Sequence, residues 1–334
     1  MNSNTKMKKE RDYLFDNIRA LLILLVVIGH MIASQKSKIL TAEVLYYFIY
    51  LFHMPAFIFI TGYFSKNHDK SRDNAVKTFL IPYIVINSLY IVLSRMSLYN
   101  PTKSFRFFYP VWGLWFLLAV FIWKMLLKDL VRVRYILPLS FIIGVLSGFS
   151  NEFSSAMSLA RVINYLPFFL LGYFCTKEHV DKIRKFPKWI SIVILAFYGA
   201  ISYYLAEYNI LRAETFHMKR AYSLIKQSTE VSVIGKIYIY IGATIIIICL
   251  INLFSNKSTW YTKVGQNSLT VYILHLVVVS NLEKLKLPWD RTIYYVFYSI
   301  IVGFILCYIF SRDFVIKVYK GIMDFINKLI FKEV

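Results

Sequence analysis

Long apolar runs recur along this chain between about residue 14 and residue 312, and no other feature of the sequence constrains the fold as strongly. An α-helix needs roughly 20 predominantly apolar residues to cross a bilayer. The sequence therefore predicts an all-α fold, a polytopic integral membrane helical bundle of about ten transmembrane helices that forms one domain over residues 1–312. The candidate spans are 14–33, 44–64, 78–96, 110–127, 135–150, 159–175, 187–206, 237–254, 268–282 and 293–312.

The composition agrees with a membrane protein and argues against a water-soluble enzyme. Hydrophobic residues make up 58% of the chain and charged residues 17%, whereas soluble domains carry roughly 25% charged residues. The three cysteines, Cys175, Cys249 and Cys307, are far apart in sequence and form neither a disulfide framework nor a metal-binding motif. We therefore expect no metal site and no bound cofactor.

The excess of basic residues predicts how the chain is oriented in the membrane. The sequence has 39 Lys and Arg against 18 Asp and Glu, a formal net charge of +21. In a soluble protein this excess would indicate nucleic acid binding, but here the basic residues lie between apolar runs, and loops rich in Lys and Arg face the cytoplasm. We expect a multi-pass protein of the cell membrane with both termini in the cytoplasm and no nucleic-acid partner.

The segment 313–334 follows the last predicted span and has the pattern of a cytoplasmic amphipathic helix. Polar residues recur every three or four positions, which gives one polar helical face. One interpretation is a helix lying flat in the inner membrane interface, with its lysines near anionic lipid. The alternative is a helix packed against the floor of the bundle. The apolar residues that a flat helix would bury in lipid are Phe314, Val318, Met323, Phe325 and Leu329.

The first predicted span carries three ionisable side chains, Asp16, Arg19 and His30. Ionisable residues inside a membrane helix are costly and are by default candidates for function. At 100° per residue the three share one helical face, with His30 roughly 16 Å along the axis from Arg19. The alternatives are an ion pair near the inner interface for Asp16 and Arg19, and a neutral imidazole bonded to a neighbouring helix for His30.

Two further histidines fall inside predicted spans. His53 lies two residues before Pro55, which removes a backbone donor and can open a cavity inside the membrane. His275 lies in the middle of the ninth predicted span. We expect both to support the site around His30, with a buried structural role as the alternative. The remaining histidines, His68, His179 and His217, lie in loops and receive no predicted role, and Gly62 is interpreted as a close helix contact.

Several motifs resemble those of the acyltransferase 3 family of membrane acyltransferases. The first span is similar to the family's opening signature, in which an arginine precedes a histidine by eleven positions, as Arg19 precedes His30. The likeness is closest to the single-domain branch labelled fucose 4-O-acetylase-like. The other similar segments, in chain order, are FHMPAFIFITGYFSK at 52–66, LIPY at 80–83, GLWFLLAVFIW at 113–123, LPFFLLGYF at 166–174 and NSLTVYILHLVVV at 267–279.

The resemblance implies a membrane-bound O-acyltransferase that moves an acyl group, usually acetyl from cytoplasmic acetyl-CoA, to a hydroxyl of a cell-envelope glycan or a lipid-linked glycan precursor. A sugar hydroxyl needs a general base with a pKa near 7, and histidine supplies one. His30 is therefore the predicted catalytic residue, either as the base or as an acylated intermediate. Arg19, with Asp16 beside it, would bind a donor phosphate or polarise the thioester carbonyl.

The family's pair of arginines before the third span is absent from SRDNAVKTFLIPY at 71–83. Arg72 and Lys77 are the nearby cations, and they are predicted to attract the nucleotide of the donor, although a cytoplasmic topology signal would also explain them. The expected partners are acyl-CoA, the glycan acceptor and membrane lipid.

A second class of function remains open on the sequence alone. In a secondary transporter or flippase for an anionic envelope precursor, Arg19 and Asp16 would act as gating charges and His30 as a proton relay. Such carriers often contain inverted repeats, and the sequence shows no convincing internal symmetry. A sensor or scaffold would leave the charged face of the first span unexplained.

Overall fold

The computed structural model describes residues 12–95, 109–153, 156–282, 285 and 291–331, and within them it contains helices and no strand. The all-α prediction is confirmed. The α-helices are α1 (Leu14–Ile32), α2 (Leu40–Tyr63), α3 (His68–Ala75), α4 (Ile81–Arg95), α5 (Trp115–Leu130), α6 (Ile136–Leu146), α7 (Leu159–Phe174), α8 (Lys177–Arg184), α9 (Lys188–Glu207), α10 (Ala213–Phe216), α11 (Thr229–Leu253), α12 (Thr262–Gln266), α13 (Ser268–Leu282), α14 (Ile293–Phe310) and α15 (Asp313–Ile330).

Among the described residues, six helices are long and apolar enough to cross a membrane. They are α1, α2, α9, α11, α14 and the continuous helix of α3 and α4, which a π-helical turn joins. The bent pair α7 and α8, with 89° between them, would be a seventh. Every predicted span contains a helix, but α5, α6, α7 and α13 have only 16, 11, 16 and 15 residues. The predicted count of ten spans is therefore not confirmed.

Helices α1 and α2 form the centre of the bundle. Helix α1 packs against α2, α12, α13 and α14, whereas α2 packs against α7, α9 and α11. Helices α9 and α14 lie at the periphery, where Phe197 and Phe304 point away from the protein. The apolar outer surface agrees with a bundle surrounded by lipid, and the enclosed position of α1 explains how it holds polar side chains within an apolar helix.

The contact between α2 and α7 depends on two glycines. A Cβ added at Gly62 would lie 1.9 Å from the backbone oxygen of Phe169, and one added at Gly172 would lie 1.9 Å from that of Phe59. Small residues let membrane helices approach this closely. The structure thus confirms the interpretation of Gly62 as a close helix contact and adds Gly172 as its counterpart.

Helix α15 has three distinct faces. Ile316 and Met323 are buried against the bundle, whereas the apolar side chains of Phe314, Phe325 and Leu329 are exposed. At 100° per residue, the exposed apolar face and the lysine face lie on different sides of the helix. One apolar face therefore packs on the bundle, and the other is exposed. Met323, which the flat-helix interpretation placed among the lipid-facing residues, is buried against the bundle instead.

Candidate active site

A cavity of about 200 Å³ opens where α1 ends and where α2, α5 and α7 begin, and we call this pole the His30 end of the bundle. The segment 208–228 covers it. Three histidines, three cations and several aromatic rings face the cavity, and no carboxylate of the described residues lines it. The lining residues are Val26, His30, Ala33, Lys36, Tyr46, Tyr50, His53, Met54, Gly113, Trp115, Arg161, Tyr165, Phe216, His217, Lys219 and Tyr272.

Backbone carbonyls fix the tautomers of two histidines. The Nδ1–H of His53 donates to the oxygen of Ile49 at 2.7 Å, and the Nδ1–H of His275 donates to the oxygen of Val271 at 3.0 Å. A carbonyl oxygen can only accept a hydrogen bond, so Nδ1 must carry the hydrogen. In each neutral ring Nε2 therefore carries the lone pair. Each carbonyl belongs to the residue four positions earlier in the same helix, which is within reach of the histidine ring. Both rings are thus oriented to accept a proton at Nε2.

His30 and His275 form a pair at the wall of the cavity. Their ring centroids are 5.4 Å apart, with His30 facing the cavity and His275 fully buried behind it. Nε2 of His275 has no hydrogen-bond partner among the described residues. A buried nitrogen that lacks a partner is costly, and here it belongs to the ring next to His30, which lines the cavity. The arrangement is suited to holding or relaying a proton at His30.

His217, to which the sequence analysis gave no role, is part of the same cluster. Its Nε2 lies 2.5 Å from the hydroxyl of Tyr46, and its ring lies edge-on to Tyr50 with centroids 5.7 Å apart. Burial, and then the charges of Lys219 and Arg161, lower the pKa of His217 well below its usual value. His217 is therefore neutral at pH 7. Its one sequence signal is the adjacent pair Lys219 and Arg220, which gives this segment a strongly basic character.

Three cations surround the histidines. The guanidinium of Arg161 lies 4.8 Å from the ring centroid of Trp115, and its Nε–H donates to the backbone oxygen of His217 at 3.4 Å. The ammonium of Lys36 lies 4.7 Å from the ring centroid of Tyr46. Burial, followed by the charge of Arg161, lowers the pKa of Lys219 to about 8. The cavity is therefore a region of positive potential with aromatic walls.

A buried lysine holds the segment 208–228 over the cavity. The ammonium of Lys236 donates to the backbone oxygen of Gly144 at 2.7 Å and to Oδ1 of Asn164 at 3.0 Å. The amide of Asn164 in turn donates to the backbone oxygen of Met218 at 2.9 Å. Met218 has a φ of +49°, which is uncommon for a residue with a side chain. This network joins α6, α7 and α11 to the residue next to His217.

Asp16 and Arg19 lie at the opposite pole, the Asp16 end of the bundle. Their side chains approach to 3.5 Å, the guanidinium of Arg19 lies 4.9 Å from the ring centroid of Phe64, and Gln266 donates to Asp16 at 3.4 Å. Eleven residues of helix, about 16 Å, separate Arg19 from His30. The structure thus brings His30, His53 and His275 together and places Arg19 and Asp16 outside their cavity.

The two predicted donor-binding cations are exposed. Arg72 lies on α3, and Lys77 lies in the π-helical turn that follows, with its ammonium 5.0 Å from the ring centroid of Phe331. Phe331 directly follows α15. Helix α15 therefore begins at Asp313, whose carboxylate pairs with Lys263 of α12 at 2.7 Å, and the residue after it lies beside Lys77. Helix α15 thus crosses the region that the sequence analysis assigned to the donor.

A second cavity, of about 530 Å³, lies beside α1 at the Asp16 end, between α12 and α14. Its walls are mostly apolar, with Leu24, Phe304 and Tyr308 among them. Among the described residues, histidines line the smaller of these two cavities, and neither a histidine nor a carboxylate lines the larger one. In the described part of the chain, no group of three His, Cys, Asp or Glu side chains is placed to hold a metal ion.

Comparison with known proteins agrees with this chemistry. A family described as an acyltransferase domain matches residues 12–312, a range that includes every residue of the His30 cavity. Nodulation protein NolL of Mesorhizobium japonicum is 28% identical over 206 residues, which are 56% of this chain and 54% of that protein. The chain thus spans about half the length of this curated relative. No solved structure matches the chain. Because the family match covers nearly all of its length, the chain belongs to the acyltransferase 3 family.

Proposed function

We propose that the protein is an O-acyltransferase that moves acetyl from cytoplasmic acetyl-CoA to a hydroxyl of a cell-envelope glycan or of a lipid-linked glycan precursor. The observation that carries this proposal is the cavity in which His30 and His53 share walls with aromatic rings. Histidine is suited to activate a sugar hydroxyl, and aromatic rings present apolar faces to sugars. Family membership supports acyl transfer in general, and the acetyl group and the glycan are the parts that we propose.

His30 is the proposed base. It takes the proton of the acceptor hydroxyl, the hydroxyl oxygen attacks the thioester carbonyl carbon, and the carbon–sulfur bond breaks as the thiolate of coenzyme A leaves. The proton on His30 then passes to that thiolate, so the charges balance and the base is regenerated. In the alternative route His30 itself carries the acyl group between donor and acceptor. His275 is a positioning residue in both routes, because it lies behind His30 and does not face the cavity.

The donor is proposed to enter at the Asp16 end. Coenzyme A is polyanionic, and the guanidinium of Arg19 suits a phosphate or the amide oxygens of the pantetheine arm. The separation of about 16 Å from His30 argues against a contact of Arg19 with the carbonyl while His30 acts. Arg72 and Lys77 are proposed to attract the nucleotide at the surface. The thioester must then travel along α1 to reach the cavity.

The proposed orientation can be tested by labelling single cysteines in sealed cells. With the His30 end outward, Lys226→Cys in the segment 208–228 should react with a membrane-impermeant thiol reagent, and Lys185→Cys after α8 should not, because loops of the opposite sides differ in access. Both side chains are exposed in the folded chain. The background must lack Cys175, Cys249 and Cys307. Labelling of Lys185→Cys in sealed cells, without labelling of Lys226→Cys, would reverse the orientation.

The transferase proposal is tested with purified protein, acetyl-CoA labelled in the acetyl group and envelope glycan extracts. We expect release of free coenzyme A to depend on the extract, and the label to appear in glycan as an alkali-labile ester. A carrier would change the distribution of a substrate across a vesicle membrane without consuming acetyl-CoA. Transport with no acetyl-CoA consumed and no ester formed would therefore replace this proposal with the carrier.

A further inference from the structure

The positive side chains of the His30 cavity lack counter-charges. In the part of the chain that the structure describes, no carboxylate lies within 4 Å of Arg161, Lys36 or Lys219. Glu214, which is half-buried, is the nearest acidic influence on Lys219 and acts only beyond ion-pair distance. Moving a cation out of water without a partner is unfavourable, and all three side chains are half-buried. Three half-buried cations around one cavity therefore require an explanation other than stability.

Arg161 is also placed where a cation destabilises its own helix. It is the third residue of α7, and the N-terminal turn of a helix carries positive partial charge. The two residues that lead into α7, Met157 and Ser158, have φ values of +52° and +54°, a conformation that side chains disfavour. Backbone strain of this kind persists where the surrounding structure imposes it, and it concentrates at functional sites.

The guanidinium of Arg161 is held in place, but its described contacts do not use all of its hydrogen-bond donors. Its described contacts are the face of Trp115 and one long hydrogen bond to the backbone oxygen of His217, although a guanidinium has five N–H donors. The contact with the face of Trp115 helps to hold the guanidinium in place while leaving donors for a ligand. A fixed, planar fork of donors is the arrangement that binds phosphate or carboxylate oxygens in pairs.

The low pKa of Lys219 agrees with this positive potential. Arg161, Arg220 and Lys36 each act to lower it, in addition to burial, and only Glu214 acts in the opposite direction. A bound anion would raise this pKa again, since an opposite charge favours the protonated amine. The cations thus repel one another, and a negatively charged ligand would relieve this repulsion.

We propose that the acceptor carries an anionic group, a phosphate or a carboxylate, which binds Arg161, Lys36 and Lys219 while its hydroxyl reaches His30. This proposal rests on the proposed transferase function and narrows its substrate class. The aromatic walls bind the sugar rings, and the cations bind the charge beside them. Because the donor is proposed to enter at the Asp16 end, the phosphates of coenzyme A are not the intended ligand of these cations.

Binding should be measured by calorimetry on the full chain in neutral detergent, without acyl-CoA. The probes are glucose, glucose 1-phosphate and glucuronate, so that one arm is neutral, one offers a phosphate and one offers a carboxylate. We expect at least one anionic probe to bind about tenfold or more tightly than glucose, since hydrogen bonds between a cation and an anion are stronger than those between neutral groups. Equal binding of all three probes, or none, would overturn the proposal.

The variants assign the binding to the named cations. Arg161→Gln should remove most of the preference for the anionic probe, and Arg161→Lys should restore part of it. If Arg161→Gln does not fold, Lys36→Gln and Lys219→Gln test the same site from its rim. The matched control is Arg134→Gln, an exposed arginine in the loop after α5, which should bind the probes unchanged. Equal loss in the control would contradict the assignment.

Two competitors separate the other sources of an anion. Displacement of the anionic sugar by coenzyme A would show that the cations bind the donor. Displacement by phosphatidylglycerol but not by phosphatidylcholine would show that they bind a lipid headgroup. Either result would overturn the proposal. Anion binding that depends on Arg161, in a protein that never consumes acyl-CoA, would keep the anion site and overturn the transferase. Turnover with a neutral acceptor and no preference for an anionic probe would keep the transferase and overturn the anion site.

Discussion

Replacing His30 by glutamine should lower acyl transfer by about 10²-fold or more, because the reaction loses the group that accepts the proton of the hydroxyl. Acyl-CoA binding should change much less, since the donor is proposed to bind at the Asp16 end, about 16 Å away. Glutamine keeps polarity and approximate size, so the cavity should retain its shape. The measurement is turnover per folded molecule, with acyl-CoA binding measured on the same preparation and a search for a labelled acyl-histidine.

The control for this prediction is His179→Gln. His179 is exposed and caps the start of α8 together with Thr176. It lies beyond the end of α7 that is opposite to Arg161, so its replacement should leave turnover unchanged. Near-normal turnover in folded His30→Gln would exclude His30 as base or nucleophile. His53 would then be the next candidate, because it faces the same cavity and its tautomer leaves Nε2 as an acceptor. His275, which is buried behind His30, would follow.

Replacing Gly172 by alanine should destabilise the folded bundle by about 1–3 kcal/mol, the usual range for forcing extra atoms into a packed interior. The new Cβ would lie 1.9 Å from the backbone oxygen of Phe59, so α2 and α7 must move apart. A flexible side chain could turn aside, but a backbone oxygen in a helix cannot. The expected result is a melting temperature lower by several degrees for the purified protein in detergent.

Gly199→Ala is the matched control, since Gly199 lies in α9 and has nothing within 4 Å of an added Cβ. The same chemical change should there leave the melting temperature unchanged or slightly raised, because alanine favours helix more than glycine. Gly62→Ala should resemble Gly172→Ala, because it widens the same contact from the other helix. Equal melting temperatures for Gly172→Ala and Gly199→Ala would show that the contact between α2 and α7 is not as close as described.

The hydrogen-bond network around Lys236 links the packing of the helices to the position of the cavity residues. Lys236 is almost fully buried, and its ammonium reaches the residue next to His217 only through Asn164. Charged groups within a membrane protein are expensive and usually mark function. Here the hydrogen bonds of Lys236 and Asn164 secure the segment that carries His217 and Lys219 over the cavity. The histidine cluster therefore depends on contacts among helices that lie far apart in the sequence.

The amphipathic C-terminal helix shows how far a local pattern can be read. The spacing of its lysines predicts one polar face, and α15 has that face. The same pattern does not distinguish the apolar residues that pack against the bundle from those that are exposed. Met323 and Phe325 are two positions apart and both apolar, yet Met323 is buried and Phe325 is exposed. The position of the bundle, and not the periodicity of the helix, makes this difference.

The sequence by itself determined the features that depend on one helix at a time: the apolar runs, the shared face of Asp16, Arg19 and His30, and the family to which their spacing belongs. Helical geometry is local, so a period of 3.6 residues is enough to derive the shared face, whereas the family rests on the resemblance of the motifs. Only the tertiary structure brought His217 and Arg161 to His30 and left Arg19 at the opposite pole. Those positions depend on contacts between residues more than a hundred positions apart, such as the one between Tyr46 and His217. Periodicity records which side of a helix is apolar, but it does not record which other helix or loop packs against that side.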